Sequence, residues 1–307
     1  MGLRIKGIIT VILLVLTACT SKQPLKEKQV LVSTDWLQVH LDESSLIILH
    51  VGTEEVFDSL HIPHSQYVRA RDFITTRGYL RNEIQDMDIM DSILESKGIH
   101  DQSHIVLIYE DESVIPLTAR LFLTLNYAGL QDRTSVLNGG LTQWLAEDRT
   151  TTDTVFERPR GDLHLEVNKH IMTDAQGVKG YLEDPEYVIL DSRPVTSYTG
   201  SYDSTEQRYT GGHIEGVRNL PFDSFLSETN PWLLKEDAEL MREFEKRGVD
   251  AKKTVVHSCG SGFLTCVNYL VSEHLGYRSL FYDGSFQEWE KLELPVTRPV
   301  KPLPDHE

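Results

Sequence analysis

Short runs of apolar and β-branched residues recur at matching places in the two halves of the chain. Such runs predict buried strands, and the stretches between them have helix-like composition. Strands that alternate with helices are typical of a parallel sheet joined by crossover helices. The runs are residues 46–49 and 105–109 in the first half, and residues 188–190 and 254–257 in the second.

The motifs that follow these runs also repeat in order, because His61-Ile62 in the first half is matched by His213-Ile214 in the second. An internal repeat of this length indicates two copies of one domain. We therefore predict the α/β fold class, with two similar domains that each contain a central parallel sheet flanked by helices. The predicted segments are residues 30–148 for the first domain, 149–163 for a linker and 164–300 for the second domain.

The N-terminus has the pattern of a targeting segment. Arg4 and Lys6 precede an apolar stretch, residues 7–16, which is too short to span a bilayer. The sequence LTAC at residues 16–19 resembles the lipobox of bacterial lipoproteins, although an ordinary signal peptide cleaved nearby is an alternative. The resemblance implies a signal peptide at residues 1–18, lipidation of Cys19 and a tether at 19–29. It also implies a lipid-anchored protein of the bacterial cell envelope, on the periplasmic or outer-membrane side.

The charge of the chain and the spacing of its polar residues bear on which ligands and macromolecules it can bind. With 30 basic and 47 acidic residues the formal net charge is −17, which disfavours nucleic acid as a partner. No group of His, Cys, Asp and Glu has the spacing of metal ligands, so neither a metal nor a cofactor is predicted.

The strongest candidate for chemistry is Cys259, which follows the predicted strand at 254–257 and opens the loop CGSG. Glycines let such a loop curl, and a curled loop at a helix start directs several N–H donors inward. That environment favours a thiolate, which is the nucleophilic form of cysteine. Cys266 lies seven residues further on, about 10 Å away along a helix. Since a disulfide needs closer Cα atoms, we expect both thiols to be free.

These motifs resemble those of the tandem-domain rhodaneses, and especially the 3-mercaptopyruvate sulfurtransferases, whose active loop is similar to residues 259–266. Three further segments carry the resemblance, at residues 191–193, 212–221 and 282–289. The resemblance implies that Cys259 carries sulfur as a persulfide and that only the second domain is active. It further implies that the loop binds substrate through Gly260, Ser261, Gly262, Phe263 and Leu264.

The same resemblance implies roles for two arginines and a histidine. Arg193 and Arg208 would meet an anionic sulfur donor, although a structural ion pair is an alternative for Arg193. His61 would face the cleft and assist proton transfer together with Ser261. Phe263 departs from the family, because it places a bulky ring where a small β-branched residue is usual.

The first domain departs further from the family pattern. Glu110 occupies the position that corresponds to Cys259, and residues 20–258 contain no cysteine. The first domain therefore cannot form a persulfide.

The resemblance implies a sulfurtransferase with a small-molecule donor, 3-mercaptopyruvate or thiosulfate, and a thiol, cyanide or thioredoxin-like acceptor. A cysteine phosphatase is disfavoured because Thr265 stands where its loop requires arginine. A non-catalytic rhodanese-like module that binds sulfur species or acts as a scaffold at the cell envelope remains the alternative.

Overall fold

The computed structural model describes residues 29–200 and 211–298, and it contains two five-stranded parallel sheets. The predicted fold class is therefore confirmed. The predictions for the signal peptide, for Cys19 and for Arg208 lie outside the described residues.

The first domain is built from seven strands and five helices. Its main sheet has the strand order β1-β7-β6-β2-β3, and β4 and β5 form a separate antiparallel hairpin. In chain order the elements are β1 (Leu31–Val32), α1 (Thr34–His40), β2 (Leu46–Val51), α2 (Glu54–Ser59), β3 (Ser65–Val68), β4 (Ile74–Arg77), β5 (Leu80–Ile84), α3 (Met87–Ser96), β6 (His104–Tyr109), α4 (Ile115–Tyr127), β7 (Thr134–Leu137) and α5 (Gly140–Ala146).

The second domain repeats this plan. Its main sheet has the order β11-β9-β12-β13-β8, and β10 pairs with β14. In chain order the elements are β8 (Met172–Thr173), α6 (Ala175–Tyr181), β9 (Tyr187–Asp191), α7 (Val195–Thr199), β10 (His213–Ile214), β11 (Arg218–Asn219), α8 (Asp237–Glu245), β12 (Thr254–Ser258), α9 (Thr265–His274), β13 (Arg278–Tyr282), α10 (Ser285–Lys291) and β14 (Val296–Thr297).

The central strands read as continuous apolar runs because both faces of each sheet are covered. Every residue of β2 and of β6 is buried, as expected for a parallel sheet between layers of helices. Burial of each Leu or Ile side chain contributes about 1.5–3 kcal/mol.

One hydrophobic cluster extends across the two domains. Helix α4 of the first domain packs on α9 of the second, and Val267, Leu270 and Phe281 belong to the same buried cluster as Phe122 and Leu125. This packing places the edge of the first domain beside the loop that follows β12. Among the described helices, none combines the length and the apolar character needed to cross a membrane.

Candidate active site

Cys259 lies where the central strand β12 ends, at the carboxyl edge of the second sheet. Only 1% of the residue is exposed, and it lines a cavity of about 270 Å³ between the two domains. The second domain supplies most of the lining, and Arg71 and Asn82 come from the first. The lining residues of the second domain are Arg193, Pro194, Ser197, Cys259, Gly260, Ser261, Phe263 and Leu264.

The loop from Cys259 to Leu264 curls around the hydroxyl group of Ser285. This oxygen accepts hydrogen bonds from the backbone N–H groups of Cys259 (3.2 Å) and Gly262 (3.1 Å), and it donates to the carbonyl of Tyr282. Gly262 has a φ of +66°, a left-handed conformation that glycine adopts without strain. A Cβ atom there would lie 2.4 Å from Oδ1 of Asp283, so both conformation and space require glycine.

Three carbonyl groups of the loop accept hydrogen bonds from α10 and from Arg120. Cys259 O accepts from Phe286 N at 3.0 Å, and Gly260 O accepts from Gln287 N at 2.9 Å. Gly262 O accepts from Nη1 of Arg120 at 2.9 Å. The loop therefore rests on α10 and on a side chain from α4.

This arrangement determines the direction of three amide groups. A trans peptide is planar, so its N–H points opposite to its carbonyl group. The N–H groups of Gly260, Ser261 and Phe263 therefore point away from α10 and Arg120, and no described residue accepts a hydrogen bond from them. They are positioned to stabilise an anion at the loop, close to the start of α9.

Among the loop residues predicted to bind substrate, Gly262 differs from the others because both its N–H and its carbonyl group form hydrogen bonds within the protein. Its N–H donates to Ser285, and its carbonyl accepts from Arg120 and from the thiol of Cys266. Its polar groups are therefore used inside the protein, Gly262 does not line the cavity, and its part in substrate binding stays a prediction. Its role is to give the loop its curl.

Arg193 lines the cavity, and its guanidinium is held within the protein. Nε and Nη2 donate to the carboxylate of Asp191 at 3.0 Å and 2.6 Å, and Nη2 also donates to Gly212 O at 2.8 Å. The guanidinium carbon lies 4.3 Å from the ring centre of Phe286. Asp191 thus neutralises much of the charge that Arg193 brings to the cavity.

His61 lies outside the cavity, and the prediction that it faces the cleft beside Ser261 is wrong. The residue is fully buried, and its ring stacks on Phe57 with centres 4.0 Å apart. Its ring nitrogens lie 2.7 Å from Phe57 O and 3.3 Å from Thr154 O. Ser261 instead accepts a hydrogen bond at Oγ from Nδ2 of Asn82, at 2.8 Å.

The thiols of Cys259 and Cys266 and the imidazole of His257 are buried near the loop. Cys259 and Cys266 are both buried free thiols. Burial raises the pKa of Cys266, so this thiol is protonated at neutral pH. Burial also lowers the pKa of His257 to about 3, which keeps its ring neutral. Within residues 29–200 and 211–298, no group of His, Cys, Asp and Glu could hold a metal ion.

The corresponding loop of the first domain is filled by Glu110. Its carboxylate accepts a hydrogen bond from Thr53 N at 2.7 Å. Gly52, which follows β2, lies close to this carboxylate, because a Cβ atom there would lie 2.0 Å from Oε2 of Glu110. A side chain thus occupies the space that would otherwise be open to a ligand.

The sequence pattern did not reveal the parts played by Arg71, Asn82, Ser285, Gln287 and Arg120. Ser285 and Gln287 lie in the segment 282–289, which carries part of the family resemblance. The first-domain residues gave no such signal, because their importance depends on how the two domains pack.

Comparisons with known proteins agree with this geometry. The rhodanese-like domain, as a family, matches the chain twice, at residues 33–147 and 174–292. The 3-mercaptopyruvate sulfurtransferase of Escherichia coli K12 is 26% identical over 282 residues, covering 88% of this chain and 98% of the relative. The sulfur carrier protein TtuD of Thermus thermophilus is 28% identical over 285 residues, covering 86% and 94%.

Among solved structures, SseA from Escherichia coli superposes with a TM-score of 0.71 at 23% identity. The match covers 84% of this chain and 99% of SseA. At that identity the similarity supports the fold.

Proposed function

The chain belongs to the rhodanese-like domain family, and on that basis we propose that its second domain transfers sulfur through a persulfide on Cys259. It is a sulfurtransferase enzyme, as its relatives are. The observation that carries the assignment to Cys259 is the loop itself. A cysteine lines a small cavity, and beside it the N–H groups of Gly260, Ser261 and Phe263 point away from α10 and Arg120.

The reaction is a double displacement. The thiolate of Cys259 attacks the terminal sulfur of the donor, an S–S bond forms, and the bond between that sulfur and the rest of the donor breaks. Thiosulfate releases sulfite with the bonding electron pair. 3-Mercaptopyruvate releases the enolate of pyruvate, which takes up a proton. The loop amides stabilise the persulfide anion until an acceptor attacks the outer sulfur and restores the thiolate.

We favour 3-mercaptopyruvate as the donor, because the loop residues Gly260 and Ser261 are neutral, whereas thiosulfate rhodaneses usually carry cationic residues there. Three of the relatives are named for 3-mercaptopyruvate alone, two for both thiosulfate and 3-mercaptopyruvate, and two for thiosulfate alone. The acceptor is proposed to be a thiol, cyanide or a thioredoxin-like protein. The values of kcat/KM for the two donors test the donor assignment, and a clear preference for thiosulfate would overturn it.

Two arginines are proposed to assist donor binding. Arg193 lines the cavity, although Asp191 already binds its guanidinium, and Arg208 lies outside the described residues. Phe263 and Leu264 line the same cavity and would contact the apolar part of a donor.

The N-terminal segment suggests where the reaction takes place. We propose that Cys19 is lipidated and that it anchors the protein at the cell envelope. The support is the LTAC sequence at residues 16–19, after a basic start and an apolar stretch. Metabolic labelling with a fatty-acid analogue tests this proposal. Label in the wild type and none in Cys19→Ala supports it, and equal label in both contradicts it.

Intact-mass measurement tests the assignment of Cys259. The protein is incubated with 3-mercaptopyruvate or thiosulfate, and a gain of one sulfur atom is expected in the wild type and none in Cys259→Ser. Cys266→Ala is the matched control, because Cys266 is the other described cysteine and should leave the gain unchanged. No gain with either donor would favour a non-catalytic sulfur-binding module.

A further inference from the structure

A hairpin of the first domain lies against the catalytic loop of the second. Nδ2 of Asn82, in β5, donates to Oγ of Ser261 at 2.8 Å and lies 3.3 Å from its carbonyl oxygen. The backbone of Arg81, the preceding residue, forms two hydrogen bonds with the side chain of Gln287. Arg81 N donates to Oε1 of Gln287 at 3.2 Å, and Nε2 of Gln287 donates to Arg81 O at 3.0 Å. Four hydrogen bonds therefore join this strand to the loop and to α10.

The backbone of Asn82 is adapted to this contact. Its φ is +62°, in the left-handed region that disfavours most residues with a side chain. Asparagine is among the residues that tolerate this region best. A conformation of this kind persists where surrounding contacts impose it, and such positions are concentrated at functional sites. Here the contacts come from the catalytic domain.

Arg71 belongs to the short 3-10 helix Ala70–Phe73, which joins β3 to the hairpin, and it lines the cavity that contains Cys259. It is exposed, and in the described part of the chain no carboxylate forms an ion pair with it. Arg193, the other described arginine of the cavity, is bound by Asp191. Arg71 therefore brings to the cavity a positive charge that is not paired with any carboxylate of residues 29–200 and 211–298.

The proposed donors have one chemical feature in common, an oxyanion group on the side away from the transferred sulfur. In thiosulfate this group is the sulfonate, and in 3-mercaptopyruvate it is the carboxylate. A guanidinium binds two oxygens of such a group through parallel N–H donors. A donor whose sulfur contacts Cys259 and whose oxyanion contacts Arg71 would span the cavity between the domains.

We propose that Arg71 of the first domain determines donor affinity by binding this oxyanion, and that Asn82 is a positioning residue that holds Ser261 in place for the bound donor. The inference rests on the proposed sulfur transfer and goes beyond it. It gives the inactive domain a direct part in substrate recognition, whereas its own loop is closed by Glu110.

The test of Arg71 compares Arg71→Gln with Arg69→Gln. Arg69 is an exposed neighbour that lies 3.8 Å from Asp72 and does not line the cavity, so it is a matched control for loss of one charge. We expect Arg71→Gln to raise the KM for both donors about 10- to 100-fold, which corresponds to the loss of a charge-assisted hydrogen bond. Arg71→Lys should recover part of this loss. Transfer from a preformed persulfide to a small neutral thiol should be unchanged.

The outcomes separate this inference from the proposed function. If the wild type forms a persulfide on Cys259 and Arg71→Gln keeps the wild-type KM for both donors, the role of Arg71 is wrong and the sulfur transfer stands. If the effect is confined to one donor, the shared oxyanion contact is wrong. If the wild type forms no persulfide, the proposed function itself fails.

The role of Asn82 is tested with Asn82→Gly, which removes the amide and keeps a residue that accepts a positive φ. We expect single-turnover persulfide formation to slow about tenfold. The melting temperature and the rate of sulfur transfer from the persulfide to the acceptor should change little. A lower melting temperature with an unchanged rate of persulfide formation would show that Asn82 only joins the domains, and would overturn the positioning role.

Discussion

Arg120 in the first domain and Asp283 in the second form a buried ion pair that crosses the domain boundary. Nη1 of Arg120 donates to Oδ1 of Asp283 at 2.6 Å and to Gly262 O at 2.9 Å, and Nη2 donates to Oδ2 at 3.2 Å. Burial lowers the pKa of Arg120, but the charge of Asp283 and the hydrogen bonds around the guanidinium together outweigh burial, and the pKa is raised. The guanidinium of Arg120 therefore stays charged, and it supports the catalytic loop directly through Gly262 O.

Arg120→Met should destabilise the protein by about 3–5 kcal/mol, because it leaves the carboxylate of Asp283 buried without its partner. Persulfide formation should fall as well, since Gly262 O loses its hydrogen bond from the guanidinium. Denaturant unfolding and single-turnover kinetics measure the two effects. The double variant Arg120→Met/Asp283→Leu should recover much of the stability and little of the activity. A single variant as stable as the wild type would contradict the structural role.

Gly262→Ala should both destabilise the protein and abolish persulfide formation. The added methyl group would collide with Asp283 and would force a left-handed residue to carry a Cβ atom. Gly276→Ala is the matched control, because its φ is +75° and a Cβ atom added there would meet nothing within 4 Å. The control should lose only the conformational contribution, about 1–2 kcal/mol, and keep full activity. Equal effects of the two substitutions on activity would contradict a specific role for Gly262.

His257 should make stability depend on pH. Its pKa is lowered by burial from 6.5 to about 3 in the folded protein. Below pH 6.5 the unfolded chain therefore binds a proton that the folded chain does not. The contribution to stability is complete above pH 6.5 and is lost as the pH falls towards 3, with a slope of about 1.4 kcal/mol per pH unit.

The measurement for His257 is the free energy of unfolding between pH 7 and pH 4. In His257→Leu the free energy of unfolding should depend less on pH, with a slope lower than that of the wild type by about 1.4 kcal/mol per pH unit. His50, whose pKa is lowered to about 4 first by burial and then by His61, retains its own slope in that variant. The control is His170→Leu, because His170 is an exposed histidine. An unchanged slope in His257→Leu would show that this ring does not titrate as described.

The strands β2, β6, β9 and β12 could be predicted from sequence, because buried parallel strands leave continuous apolar runs. The run at 105–109 lies within β6, and the run at 254–257 lies within β12. The sequence also indicated that Cys259, Gly260 and Ser261 would belong to the site. The reason is that the strand, the loop and the helix that form this part of the cavity follow one another along the chain.

The contribution of the first domain could not be predicted in this way. A comparison of the two halves finds positions that they share, whereas Asn82 lies in a hairpin whose partner is the other domain. The error for His61 has the same origin. Its motif repeats at His213-Ile214, and both rings bind backbone carbonyls and stack on neighbouring aromatic rings. The repeat thus marked a packing feature of the fold.

A crystal structure of the donor-treated protein tests the central claim most directly. The account predicts an additional sulfur atom bonded to Sγ of Cys259, within hydrogen-bond distance of the N–H groups of Gly260, Ser261 and Phe263. Sulfur bound at Cys266, or an outer sulfur on Cys259 turned away from these three amides, would contradict it.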